Sequence, residues 1–239
     1  MKLSLLFTQN GIQWQESEAD TIINEEIFFL TEEEENPWSI EEKLDEILKK
    51  NTWKEIRVFS ALNHFTLTPE GFSQHDLGQK IISYNAEIDP ENEELMLSIN
   101  CKFSVQFYYL FPKHFYHRIK ELKVPTAFNF TGEKLLNSIT PHKQKEIHIN
   151  LFHNQVEFLA LNEKKLVLYN NLDATSEVDF LYFIMFSLSK INFKVEETHF
   201  YIYGEASENE TFISELQKFA PNMSIMFQNY MGKNFILNH

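Results

Sequence analysis

Between Glu146 and Glu205 the chain has few ways to fold, because five elements follow one another without a break. Glu146–His153 and Gln155–Asn162 are apolar-rich runs hinged at His153-Asn154, and Lys165–Asn170 follows across Asn162-Glu163-Lys164. Polar residues that close tight turns separate the runs, so the three read as a meander of strands. Ser176–Asn192 is then a helix, and Glu197–Tyr203 a strand that stops at Gly204. The order is β-β-β-α-β. Apolar residues surround the helix, which predicts protein cover on all its sides and puts Phe183 and Phe186 in the core.

The N-terminal region repeats that order. Leu3–Thr8 and Ile12–Gln15 flank Asn10-Gly11, a strong two-residue hairpin signal. Glu26–Thr31 pairs as a third strand. Ser39 stands as an N-cap with Glu42 three residues on. Ile40, Leu44, Ile47 and Leu48 share one face of a helix over Ile40–Lys50, and Glu55–Ser60 is a strand. Two copies of one pattern predict a mixed α/β protein with two β-β-β-α-β domains, 1–142 and 143–239. Between the copies, Phe65–Thr68, a helix over Asp76–Asn85 and strands at Leu95–Phe103 and Val105–Phe111 make a small module inserted at about 63–111. A helix at Lys113–Leu122, a strand at Thr126–Phe130 and a helix at Glu133–Ile139 complete the first half. Glu210–Phe219 and Met223–Phe227 are a last helix and strand.

Phenylalanine occurs 23 times against six glycines and seven prolines, which predicts aromatic cores and short loops and argues against glycine-rich phosphate loops. The net charge is −14, with no cluster of Lys and Arg. That balance disfavours nucleic acid as a partner and a polybasic anchor on anionic lipid. Glu16, Glu18, Asp20, Glu25, Glu26 and Glu32 to Glu35 form an acidic run without a cation. It reads as a solvated edge, or as a docking surface for a basic partner. Cys101 is the only cysteine, so no intramolecular disulfide forms; within Leu95–Val105, read as a strand, it fills core space. No apolar run reaches membrane-spanning length, and the one after Met1-Lys2 is too short for a signal peptide. The expectation is a soluble cytoplasmic protein without direct membrane insertion.

The duplicated order with a module in its first half resembles the actin-like ATPase superfamily of ribonuclease H-like folds, which includes actin, sugar kinases, FtsA and PilM. Leu67-Thr68-Pro69, Leu110-Phe111-Pro112-Lys113 and Val124-Pro125-Thr126-Ala127 are similar in cadence to the PilM-type inserted subdomain and the strand and helices after it. Lys165–Asn170, Val178–Phe183 and Tyr201–Gly204 most resemble an uncharacterised family of Bacteroidetes proteins assigned that fold. Active members of the superfamily carry an Asp and glycines in the first hairpin of each half, where metal and phosphate are held. Here the first hairpin, Phe7–Ile12, has Asn10-Gly11 but no carboxylate, and the second, Leu151–Gln155, has neither Asp nor Gly. Close approach of backbone N–H groups to phosphate favours glycine, and magnesium needs a carboxylate. The turn after the fourth strand normally begins with paired glycines; here Gly204 is followed by Glu205, whose charge repels a triphosphate.

Other constellations have structural explanations. His114 and His117 sit three apart on a helix and could share a metal, but no third ligand is indicated and a polar helical face accounts for both. His148 reads as a half-exposed strand residue. Asp173, Ser176 and Asp179 precede or open a helix, where capping explains them as well as general-acid chemistry does. No catalytic residue, metal site or cofactor is expected. The resemblance implies a non-catalytic actin-like adaptor for a protein or peptide partner. The docking places would be a cleft edged by Asn10, Gly11, Asn154, Gln155, Gly204 and Glu205, and the inserted module around Phe65–Phe111. The alternative is a nucleotide-binding ATPase or kinase with nonstandard cleft residues, and a third reading is a binder of some other small ligand.

Overall fold

Leu3, Leu5 and Phe7 alternate along the first strand with Ser4, Leu6 and Thr8, and all six are buried. A strand covered on both faces belongs in the middle of a sheet. The computed structural model describes residues 1–19, 21–30, 38–50, 52–71, 75–152, 155–174, 176–204, 210–226 and 235–237. The chain runs β1 (Lys2–Thr8), β2 (Gly11–Glu18), β3 (Thr21–Phe29), α1 (Trp38–Lys50), β4 (Glu55–Ser60) and β5 (Phe65–Pro69). It continues through α2 (His75–Ile82), β6 (Glu93–Asn100), β7 (Val105–Pro112), α3 (Lys113–Glu121), β8 (Thr126–Phe130) and α4 (Thr131–Ser138). The remainder is β9 (Lys145–Phe152), β10 (Gln155–Asn162), β11 (Lys165–Asp173), α5 (Glu177–Lys190), β12 (Thr198–Gly204), α6 (Glu210–Gln217) and β13 (Met223–Ile225). Two compact units result, Met1–Asn137 with Ile236–His239, and Ser138–Phe235.

Each unit holds a five-stranded sheet of one topology. The orders are β3-β2-β1-β4-β8 and β11-β10-β9-β12-β13, antiparallel among the first three strands and parallel thereafter. A parallel neighbour requires a crossover, which α1 supplies between β3 and β4 and α5 between β11 and β12. Ile40, Leu44, Ile47 and Leu48 are the buried stripe of α1, as their spacing predicts. Its last residue, Lys50, donates to Glu16 Oε1 at 2.7 Å, so part of the acidic run is a buried, paired carboxylate rather than a solvated edge. Asp20 and Glu32 to Glu35 lie outside the described residues.

The inserted module is a three-stranded sheet, β5-β7-β6, and phenylalanine joins it to the first sheet. Phe7 of β1 meets Phe111 of β7 edge-on at 5.2 Å and Phe115 of α3 at 5.0 Å. Phe130 of β8 meets Phe65, Phe107 and Tyr109 of the module at 4.9, 5.1 and 5.4 Å. Rings at these separations add attraction beyond the area they bury.

Several expectations need correction. The β1–β2 turn is Gln9-Asn10, because Thr8 pairs with Gly11, which is already in the strand. Ser39 lies inside α1, which starts at Trp38, and β3 starts at Thr21 rather than Glu26. Cys101 is exposed in the turn after β6: Asn100 Oδ1 accepts from Phe103 N–H at 3.0 Å and ends the strand before the cysteine. The α5 helix is not covered all round. Phe180, Ile184 and Leu188 form its buried stripe, while Val178, Tyr182 and Phe186 are exposed and Phe183 is half-buried. Tyr182 and Phe186 stack on each other at 5.7 Å and Lys190 lies over Phe186, so these rings shield one another instead of entering the core. Among the described residues no helix is long and apolar enough to cross a membrane.

The two sides of α5 give a direct test. Phe180→Ala is expected to cost about 3–5 kcal/mol, and Phe186→Ala about 1 kcal/mol or less, in urea denaturation. Equal costs would mean that the helix buries a different stripe.

Candidate functional site

Hairpin tips and strand ends position most of the residues that the sequence singles out. In the first unit Asn10 is exposed and its carbonyl accepts from Leu30 N–H at 2.8 Å. Gly11 is buried, and a Cβ there would stand 2.3 Å from Phe28 O and 2.6 Å from Phe29 Cδ1. Its missing side chain is therefore a packing requirement of the β2–β3 pair. In the second unit Gln155 is buried opposite Phe152. Gly204 ends β12 at φ +86°, with a Cβ position 2.2 Å from Leu151 O and 2.8 Å from Asn150 Oδ1. Gln155 and Gly204 thus close the same end of the second sheet, and Asn10 and Gly11 the corresponding end of the first. His153, Asn154 and Glu205 lie outside the described residues.

Beside the first tip the structure opens a groove of about 290 Å³. Phe7, Thr8 and Gln9 enter from the end of β1, Ile40 from α1, Leu62 and His64 from the segment after β4, Leu110 and Pro112 from β7, Glu93 from β6, and His114 and Phe115 from α3. The floor is apolar, and among the described residues neither Lys nor Arg lines it. His64 Nδ1 lies 3.3 Å from Glu93 Oε1, whose other oxygen accepts from Asp89 N–H at 2.9 Å. His114 is exposed on the wall, and partial desolvation holds its pKa below the ordinary histidine value. Helical spacing alone puts His114 on a polar face; its place in the groove comes from the fold of the module.

A buried polar face in the second sheet went unseen. Glu146, His148 and Asn150 alternate with Ile147, Ile149 and Leu151 along β9, and His199, Tyr201 and Tyr203 alternate with Phe200 and Ile202 along β12. The apolar set packs with α5 and α6. The polar set meets across the ladder, His199 beside Glu146, Tyr201 beside His148 and Tyr203 beside Asn150. His148 is buried rather than half-exposed. Its Nδ1 lies 3.0 Å from Tyr203 Oη, its Nε2 faces Glu146 Oε2 at 3.5 Å, and its ring stacks on Tyr201 at 4.8 Å. Glu146 also accepts from the His142 backbone N–H at 3.2 Å and meets His142 Nδ1 at 2.6 Å. A second set pairs Asn150 Nδ2 with Glu157 Oε2 at 2.9 Å, and Tyr169 Oη donates to Glu157 Oε1. Carboxylate, imidazole and hydroxyl stand in the order of a proton relay. Because the ring is enclosed and its Nδ1 is taken by Tyr203, the set ties β9 to β12 instead of presenting a base. The period-two alternation of polar residues in β9 and β12 was the signal for it.

The remaining candidates separate. His117 is exposed on α3, its ring edge-on to Tyr116 at 5.5 Å. Ser176 caps α5, accepting from Asp179 N–H at 3.2 Å and donating to Asp179 Oδ2 at 2.7 Å. Asp173 ends β11 opposite Gln155. No three His, Cys, Asp or Glu side chains among the described residues are placed to share a metal ion.

The buried pair sets a pH dependence. Burial lowers the His148 pKa, and the hydrogen bond to Glu146 offsets this only in part. Burial raises the Glu146 pKa, but the bonds from His148 and His142 outweigh it and hold the carboxyl below its ordinary value. Each group therefore binds fewer protons folded than unfolded between its lowered value and its ordinary one, and stability rises with pH in both windows. Acid is expected to erode stability from about pH 6.5, and again below about pH 4.5. His148→Gln removes the first window, so its stability gap to wild type in urea titrations should narrow between about pH 7.5 and pH 5.5. A constant gap would mean that His148 titrates alike in both states.

Comparison with known proteins fits the duplicated topology. A Bacteroides thetaiotaomicron VPI-5482 protein of actin-like ATPase fold and unknown function superimposes with a TM-score of 0.78 at 19% identity, over 99% of this chain and 93% of that one. A PilM–PilN type IV pilus biogenesis complex matches with a TM-score of 0.59 at 11% identity, over 99% and 96% of the two chains. These likenesses establish an actin-like ATPase fold. No curated protein sequence matches the chain. The family described as "Protein of unknown function (DUF3822)" matches residues 1–223, and the chain belongs to it.

Proposed function

We propose that this chain is a non-catalytic actin-like adaptor of the bacterial cytoplasm that docks a segment of a partner protein in the groove beside its first hairpin. The observation that carries the reading is the lining of that groove. At the hairpin where active relatives hold phosphate, this chain puts Phe7, Leu62, Leu110 and Phe115 together with the Glu93 carboxylate, and among the described residues no Lys or Arg. A triphosphate there would lose hydration without gaining a cation, whereas an apolar side chain gains by leaving water. Gly11 has no room to spare for a ligand, since its missing Cβ is already filled by β3. The solved PilM structure is a complex with PilN, which supports the idea that this fold can serve as a protein-binding platform.

The rival reading, a nucleotide-binding ATPase or kinase, predicts a different response to ligand. We expect millimolar ATP with magnesium neither to be hydrolysed nor to raise the melting temperature. A nucleotide at about 100 times its dissociation constant would stabilise by about 2.7 kcal/mol, which a melting curve resolves. A magnesium-dependent rise would replace the adaptor reading with the enzymatic one. Affinity purification from the native host supplies the complementary test. Leu62 is only half-buried, so Leu62→Asp should leave the fold intact while it spoils the groove. A partner retained by wild type and lost with the variant is expected; one held equally by both docks elsewhere.

A further inference from the structure

The apolar groove does not end at its own rim. It runs into a wider, shallower depression of about 770 Å³, and the two share His64, Glu93, Pro112 and His114. The depression adds Glu87 and Asp89, both exposed, and among the described residues no Lys or Arg. Asp89 is held in its turn by hydrogen bonds. Asp89 Oδ1 accepts from Glu91 N–H at 3.1 Å, and Oδ2 accepts from Asn92 Nδ2 at 2.7 Å. Glu93 in turn accepts from Asp89 N–H at 2.9 Å. The ammonium of Lys113 donates to the carbonyl of Pro90, itself a lining residue, and acts on Asp89 through its field.

We infer that the segment docked here carries an apolar anchor for the groove and, within a few residues, Lys or Arg for the Glu87–Asp89–Glu93 shelf. This rests on the adaptor reading and deepens it to a partner chemistry. At about 290 Å³ the groove sits at the lower edge of small-molecule sites, the scale of an anchor side chain or two. An acidic flank beside it would be repelled by three carboxylates, and an uncharged one would leave their charge to the field of Lys113 alone. A basic flank completes them, and because hydrogen bonds already hold Asp89 and Glu93 in place, little ordering remains to be done on binding. The net charge of −14 adds attraction at longer range, which speeds encounter with a cationic segment.

Selection of a random peptide display library on the immobilised full chain tests this. Enriched peptides should pair a large apolar or aromatic residue with Lys or Arg nearby. Their binding should be lost with Leu62→Asp and should weaken roughly three- to tenfold with the double change Glu87→Gln and Asp89→Asn. It should also weaken as sodium chloride rises from about 0.05 to 0.5 M. Peptides that depend on Leu62 but lack basic residues, or that ignore the double change, would overturn the basic-flank inference and leave the adaptor reading intact. No Leu62-dependent peptide at all would bring down both. Self-association of the chain that disappears with Leu62→Asp would assign the groove to a second copy and overturn the inference as well.

Discussion

The parallel pairing of β1 with β4, and of β9 with β12, governs what the rest of the chain can do. It puts a helical crossover over one face of each sheet and leaves the central strands buried front and back. On the helix-covered face of the second sheet, Ile147, Ile149, Val156, Phe158 and Ile202 need only hydrophobic burial. On the other face Glu146, His148, Asn150 and Glu157 are polar and as fully enclosed, so they must find partners inside the protein. Glu146, His148 and Tyr203 do so, as do Asn150, Glu157 and Tyr169. Their geometry resembles catalytic machinery because both uses require a carboxylate to fix an imidazole or a phenol. Enclosure decides between the two. A base that no substrate can reach is a cross-link between strands.

The first unit solves a different problem, which is to hold an inserted sheet against its main one. Phenylalanine does this through Phe7, Phe65, Phe107, Phe111 and Phe130. Rings packed edge-on or tilted against one another give adhesion with few polar groups to satisfy. The same choice shapes the groove. Phe7 belongs to the aromatic seam and also lines the groove floor, so the seam and the candidate docking surface are one continuous apolar structure. A substitution at Phe7 would damage both, whereas Leu62, at the edge, touches the groove with less effect on the core.

The element order is legible in the sequence because strand and helix periods differ and because turns carry polar residues. The Glu163-Lys164 turn, with both φ angles positive, falls where the polar residues put it. The Ile40 to Leu48 stripe is legible for the same reason. The exposed side of α5 is not, since hydrophobicity carries no label for direction: an apolar stripe that faces the core and an aromatic pair that shields itself look alike in one dimension. The burial of His148 is equally hidden, because a polar residue in a strand reads as exposed unless its partners, here from β12, are known. The groove escapes notice for a similar reason. Its walls come from β1, α1, β6, β7 and α3, which only the tertiary fold assembles.

Glycine separates the retained fold from the phosphate chemistry. In a phosphate loop glycine leaves space that a ligand occupies. At Gly11 the protein itself occupies that space, with Phe28 O at 2.3 Å from the Cβ position; at Gly204 it is Leu151 O, at 2.2 Å. Gly204 has in addition a positive φ, which disfavours any other residue there. Both glycines are therefore required by the sheet with or without a nucleotide. Their presence at the tips is consequently no argument for ATP or against it. What remains to set the chemistry at the first tip is the lining beside it, and there the chain has placed aromatic and aliphatic side chains edged by carboxylates.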